Sequence, residues 1–269
     1  MNGNGRRFDL LEVALIATLV GIVVWGIEHT RPRMPPLIVT GEAEPFVNKY
    51  GPDRNSEHEE EWLIRDFFGD RRGGFFVDVG ANDYRLYSNT YYLDAVLGWS
   101  GIAVEPQRSF ESEYTAHRPR TKFRPFFVSD QSNTEAKMYV LAKNSLVTSA
   151  DREFTARYGK NAKEVTAPTI TLNDLLDSEH VAAVDFLTMD IELWEPKALA
   201  GFDIERFKPT LVCVEAHPEV RQQILDYFAQ HHYVVVGKYL RADAQNLYFT
   251  AFSKQSSSGD RAQAGSHRS

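Results

Sequence analysis

The chain has 269 residues, 43% of them hydrophobic, enough for one sizeable core with appendages. Thirty Lys and Arg against 37 Asp and Glu give a net charge of −7, which leaves no basic excess of the kind a nucleic-acid binder carries. A single cysteine, Cys213, excludes an internal disulfide; set in an apolar run, it reads as a buried thiol.

Residues 1–9 form a short N-terminal tail. From 10 to 28 the chain is almost wholly apolar, with Glu12 as the only charge before Glu28. That length approaches what a bilayer crossing needs, and a run apolar on all faces suits lipid better than a protein surface. Arg6 and Arg7 precede it, Trp25 sits near its far end, and Arg31 and Arg33 follow. No small-residue cleavage site follows the run, which argues against a removed signal peptide. The expectation is a single-pass membrane protein. The flanking arginines balance, and the terminal amine tips the N-terminus towards the cytoplasm. Residues 29–56, rich in Pro, Gly and charge, read as an extended linker. Ser56 then opens a short helix through an acid run, Glu57 and Glu59–Glu61, expected to face solvent.

Strand and helix signals alternate from there. Phe75–Val79 is an apolar strand that runs out through Gly80, Ala81 and Asn82, and Ser88 is placed to cap the next helix. Further strands are read at 101–105, 126–130, 136–141, 185–191 and 210–216. The polar stretch 144–163 reads as a loop with one helix. Thr171 caps a short helix, and Pro218 stands at the first position of another. Residues 233–239 and 246–252 read as a closing antiparallel pair, and 253–269 as a disordered polar tail. Alternation of this kind implies an α/β fold, with a mostly parallel sheet and helices on both faces.

Each strong strand ends in an acid: Asp78, Glu105, Asp130, Asp190 and Glu215. Parallel strands bring such residues to one sheet edge, where α/β folds bind ligands. Like charges gathered there are costly without a use, so the row argues for a site. The spacing from Asp78 to Glu105 suits an acid that holds ribose hydroxyls. The full glycine pattern of a dinucleotide oxidoreductase is absent, and no ligand spacing demands a metal.

The stretches FFVDVGANDYRLYSNTYYLDAVLGWSGIAVEP, FFVSD, TLNDLL, VDFLTMDIELWEPKALAGFD, LVCVEAH and YLRADAQNLYF, spread in order over 57–252, resemble the FkbM family of S-adenosylmethionine-dependent methyltransferases. The resemblance implies a Rossmann-like, seven-stranded class I methyltransferase fold with S-adenosylmethionine as cofactor. It implies that Asp78, Gly80 and Asn82 form the methionine-side loop, that Glu105 holds the ribose, and that Ser129 and Asp130 lie near the adenine. Asp190, Glu192 and His217 would flank the acceptor, with Glu192 and His217 as the catalytic pair. The expected activity is O-methylation of a small-molecule, sugar or lipid hydroxyl by a membrane-anchored enzyme. Tyr84 and Leu193 stand where the family carries glycine, and glycine there permits close approach of backbone to ligand. Those two departures lead to an expectation of weakened cofactor binding. They also support an alternative: a silent, methyltransferase-like subunit held with other membrane proteins in a complex.

Overall fold

A computed structural model describes residues 42–142 and 144–252. The apolar run at 10–28 and the tail at 253–269 lie outside the described residues. Among those described, no helix is long and apolar enough to cross a membrane.

Two short helices come first, α1 (Glu44–Tyr50) and α2 (Glu60–Phe68). The chain continues through β1 (Phe75–Val79), α3 (Tyr91–Ala95), β2 (Ser100–Val104), α4 (Glu111–His117) and β3 (Thr121–Arg124). Next come β4 (Phe127–Val128), β5 (Glu135–Leu141), β6 (Asn144–Ser149), α5 (Arg152–Tyr158) and β7 (Lys163–Ile170). It closes with α6 (Leu172–Ser178), β8 (Phe186–Met189), α7 (Glu195–Ala200), α8 (Ile204–Phe207), β9 (Leu211–Glu215), α9 (Arg221–Gln230), β10 (Tyr233–Val235) and β11 (Asn246–Ala251).

Seven strands form one sheet in the order β10-β11-β9-β8-β1-β2-β3, and β4-β7-β5-β6 form a second. The five from β9 to β3 run parallel, while β11 runs antiparallel to β9 and to β10. Successive side chains on a strand point to opposite faces, so each central strand feeds two cores. Val77, Val79, Leu187, Met189, Val212 and Val214 pack with Leu172, Leu175, Leu199, Ile224 and Phe228 from α6, α7 and α9. Phe76, Phe186, Leu211 and Cys213 pack on the other face with Leu63 and Ile64 of α2, and with Trp99. Burial holds the Cys213 thiol protonated, far above its usual range.

Two stretches differ from the sequence reading. Part of the presumed linker, Glu44–Tyr50, is helical: Pro45 falls in the first turn, where it removes no needed donor. This helix is docked, with Phe46 edge-on to the Tyr239 ring, Lys49 paired to Asp66 and the Arg65 guanidinium over the Tyr50 ring. The stretch 144–163 carries the one helix expected of it, α5, but also the strand β6 where a loop was expected. Its outer positions are polar because β6 pairs on one side only, so no alternation marks it.

One buried cation ties the segment after β1 to the sheet. Arg118, just past α4, is 1% exposed. Its Nε donates to Asp94 Oδ2, its Nη2 to the carbonyl and Oγ1 of Thr90, and its Nη1 to the carbonyl of Tyr84 and Oγ of Ser88. Thr90 Oγ1 in turn donates to Asp78 Oδ2 at 2.6 Å. Ser88 Oγ accepts from the N–H groups of Thr90 and Tyr91, a turn just ahead of α3, whose N-cap is Thr90 rather than the expected Ser88. Without Arg118, Asp94 would keep Arg120 and Thr121, but the Tyr84 and Thr90 carbonyls would lose their charged donor. Arg118→Met is therefore expected to lower stability by roughly 3–5 kcal/mol, read as a urea-denaturation midpoint shift; a loss under about 1 kcal/mol would remove Arg118 from this role.

Candidate active site

Four of the five strand-end acids meet at one edge. Asp78 lies on β1, Glu105 follows β2, Asp190 follows β8 and Glu215 ends β9, and these strands are parallel. Asp130 does not join them. It follows β4, which pairs with β7 in the second sheet, and its carboxylate pairs with Lys197 at 2.9 Å. Ser129 Oγ donates to Asp130 and accepts from Trp194 Nε1. Neither Ser129 nor Asp130 lines either of the two cavities at this edge, whereas Phe126, Phe127 and Val128 just before them line one.

The two cavities, both partly open to solvent, lie along this edge. They share Gly80, Asn82, Leu146, Asp190 and Glu192 as walls. The first has apolar sides, among them Val79, Val104, Phe127 and Met138, with Glu105 as its one buried acid from β2. Glu105 Oε2 accepts the Asn82 N–H and Oε1 the Gln107 N–H, which fixes the carboxylate and leaves each oxygen with a lone pair to spare. Burial pushes its pKa up to about 7, against the pull of those N–H bonds. The apolar walls and the oriented Glu105 carboxylate fit a nucleoside, with that carboxylate on the sugar hydroxyls.

Gly80 joins the two halves. Its φ is +86°, and a Cβ there would stand 1.8 Å from the carbonyl oxygen of Asp190. Only glycine allows the turns after β1 and β8 to touch. Asn82, also left-handed at φ 44°, accepts a hydrogen bond from Ser145 Oγ, which draws β6 over the cavity. Asp78 faces the second cavity, and its Oδ2 is committed to Thr90.

The second cavity is acidic, lined by Glu57, Glu60, Asp78, Asp190, Glu192 and Glu215. The run Glu59–Glu61 that the sequence places in solvent is buried. Glu60 accepts from the His58 N–H and from Asn246 Nδ2, and Glu61 from the N–H and side chain of Asn55. These bonds, invisible in sequence, permit burial of charges that otherwise stay in water. Asp190 is ringed by protein but open to both cavities. Burial first, then the charges of Glu215 and Glu192, hold its carboxyl above the usual range, and water in the cavity tempers that.

His217 Nε2 lies 3.1 Å from both Glu192 Oε2 and Glu215 Oε2. Those two carboxylates raise its pKa to about 10. Burial raises the pKa of Glu192, against the pull of His217. The imidazole edge packs on the Phe154 ring and lines neither cavity, while Glu192 lines both. His217 is thus a positioning residue behind Glu192 rather than a second group on the ligand. It sits in a turn, with α9 beginning only at Arg221 and not at Pro218.

The loop after β8 is held against its preferences. Glu192 and Leu193 are left-handed at φ 56° and 78°, costly for residues with a Cβ. Glu195 Oε1 accepts the Ile191 N–H, Ser149 Oγ donates to the Glu192 carbonyl, and the Leu193 side chain packs between the main core and the Phe154 cluster. Leu193 is thus pinned by packing and lines neither cavity. The other departure, Tyr84, points away as well: its ring stacks on His117 at 4.6 Å and packs against the Tyr114 cluster. The sequence reading missed Ser145, Ser149, Glu195 and Arg118. Only Glu195, three residues after Glu192 and entering a helix, carried a sequence signal.

Because Leu193 has φ 78°, glycine should serve better there than alanine, the reverse of most positions. Leu193→Gly is expected to exceed Leu193→Ala in stability by about 1 kcal/mol in paired urea titrations. Equal midpoints would show that the loop relaxes freely.

Comparison with curated proteins found no match. Among solved structures, a SAM-dependent O-methyltransferase from Thermotoga maritima aligns over 80% of this chain and 73% of its own, at 10% identity and a TM-score of 0.41. A provisionally assigned rRNA methylase from Clostridium thermocellum aligns over 72% and 96%, at 10% identity and 0.38. The sequence profile described as the methyltransferase FkbM domain matches residues 78–235, more than half of the chain, from the end of β1 through β10. The chain therefore belongs to the FkbM methyltransferase family, which implies S-adenosylmethionine as its methyl donor.

Proposed function

We propose that the protein is an O-methyltransferase, with its donor in the apolar cavity and the acceptor hydroxyl in the acidic one. The observation that carries this reading is the shared wall: Gly80, Asn82, Asp190 and Glu192 line both cavities, so ligands in the two meet there. S-adenosylmethionine supplies a sulfonium-activated methyl group. Glu105 takes the ribose hydroxyls, and Val104, Phe127 and Met138 flank the base. Glu192 accepts the acceptor's proton as the oxygen–methyl bond forms. Its Oε2 is held by His217, and among the described residues no hydrogen bond reaches Oε1, which is left for that proton. Seating both partners at one wall supplies the alignment a direct displacement needs.

The silent-subunit alternative loses its main support, since Tyr84 and Leu193 line neither cavity. The apolar run at 10–28 supports a membrane-anchored enzyme. A working enzyme needs a donor made in the cytoplasm, so this reading puts the domain on that side and reverses the orientation that the flanking charges favour. A reporter fused at the C-terminus checks it: activity confined to the outer face would exclude the reading.

The chain is expected to bind S-adenosylmethionine with a micromolar Kd by calorimetry. Glu105→Ala should weaken that at least about tenfold, the loss of hydrogen bonds to a charged group. Glu192→Gln should slow labelled-methyl transfer to hydroxylated acceptors by about 10²–10⁴-fold, a far larger effect than any on donor affinity. Absence of donor binding at millimolar concentration would overturn the proposal.

A further inference from the structure

The Glu192–Glu215–His217 cluster asks more of one imidazole than it can give. Nε2 lies 3.1 Å from a carboxylate oxygen of each glutamate. A single N–H points along one line, and its hydrogen bond runs to Glu192. Glu215 Oε2 is sealed from solvent and receives no hydrogen bond from the described residues. A buried carboxylate oxygen without a donor calls for another partner.

The spacing fits an ion. The three ligand atoms converge within 4.8 Å of one another. Atoms held about 2.1 Å from a common centre at right angles stand about 3 Å apart, which is the separation from Nε2 to each glutamate oxygen. The charge balance agrees. Asp190 and Glu195 add two carboxylates to the neighbourhood, and Glu195, fully buried, also has an oxygen without a donor. Among the described residues, His217 is the only cationic side chain in an ion pair with any of the four.

We propose that Glu192, Glu215 and His217 bind a divalent cation that accepts mixed carboxylate and imidazole ligands, manganese(II) or zinc(II), at the acceptor end of the site. The ion takes the place of the imidazole proton and satisfies Glu215 Oε2. Its open positions receive an acceptor oxygen; this last role rests on the methyl-transfer reading, whereas binding itself does not.

The test is a manganese(II) titration of the full chain without donor or acceptor, followed by loss of the free-ion paramagnetic resonance signal. One saturable site displaced by zinc(II) is expected. Glu215→Gln and His217→Gln should each weaken it at least about tenfold, and Glu219→Gln, an exposed acid paired to Arg157, should leave it unchanged. If either site variant fails to fold, the pulsed spectrum of manganese on the natural chain decides. Nitrogen coupling from an imidazole supports the site, and its absence overturns it. Lack of binding, or binding unchanged in the folded variants, also overturns it. A parallel S-adenosylmethionine titration separates the two readings. Donor binding without manganese binding removes the ion and keeps methyl transfer; the converse removes methyl transfer and keeps the ion site.

Discussion

A guanidinium with almost no solvent contact organises the site from behind. Arg118 reaches Asp94, Thr90, Ser88 and Tyr84 at once, and through Thr90 it fixes Asp78 at the end of β1. The segment from Asp83 to Thr90 has no regular pairing beyond a single bridge from Tyr87 to Ser56. Its backbone carbonyls need donors, and Arg118 supplies them in a planar fork that a lysine could not match. The turn at Gly80 is therefore presented on a braced frame, and the cavity floor inherits that rigidity.

Around this frame the carboxylates fall into two kinds. Glu61, Glu105 and Asp78 are held in fixed orientations by hydrogen bonds from backbone or hydroxyl groups, and Glu105 keeps lone pairs for a ligand. Asp190, Glu192 and Glu215 have far fewer donors and gather where the two cavities join. Unsatisfied acids in a cleft are expensive, and a fold keeps them where a ligand completes them. The left-handed pair Glu192–Leu193 tells the same story in the backbone: strain held by Glu195, Ser149 and the Phe154 cluster at the place where chemistry is expected.

The sheet was legible in the sequence because buried parallel strands are largely apolar runs, as at Phe75–Val79 and Leu211–Glu215, each with an acid at or next to its last residue. Glu105, Gly80 and Asn82 stood out for the same reason: they follow directly from strand ends. Asp130 misled because β4 looks like its neighbours in composition but pairs in the other sheet, which no local pattern records. Tyr84 and Leu193 misled differently. Residue size at a ligand-facing turn is readable, whereas the direction of the side chain is set by partners such as His117 and Phe154 that lie far along the chain. The acid run before α2 was read by its charge, and the donors that permit its burial, Asn55 and Asn246, lie outside any helical period.

The common wall has a thermodynamic consequence. On the methyl-transfer reading, a ligand in either cavity would contact the five residues that also wall the other, Gly80, Asn82, Leu146, Asp190 and Glu192. The second arrival then finds part of its ordering cost already met, and each strengthens the other by the same factor. On that reading donor and acceptor would be linked without a moving domain. The coupling is written into five residues that neither ligand owns alone.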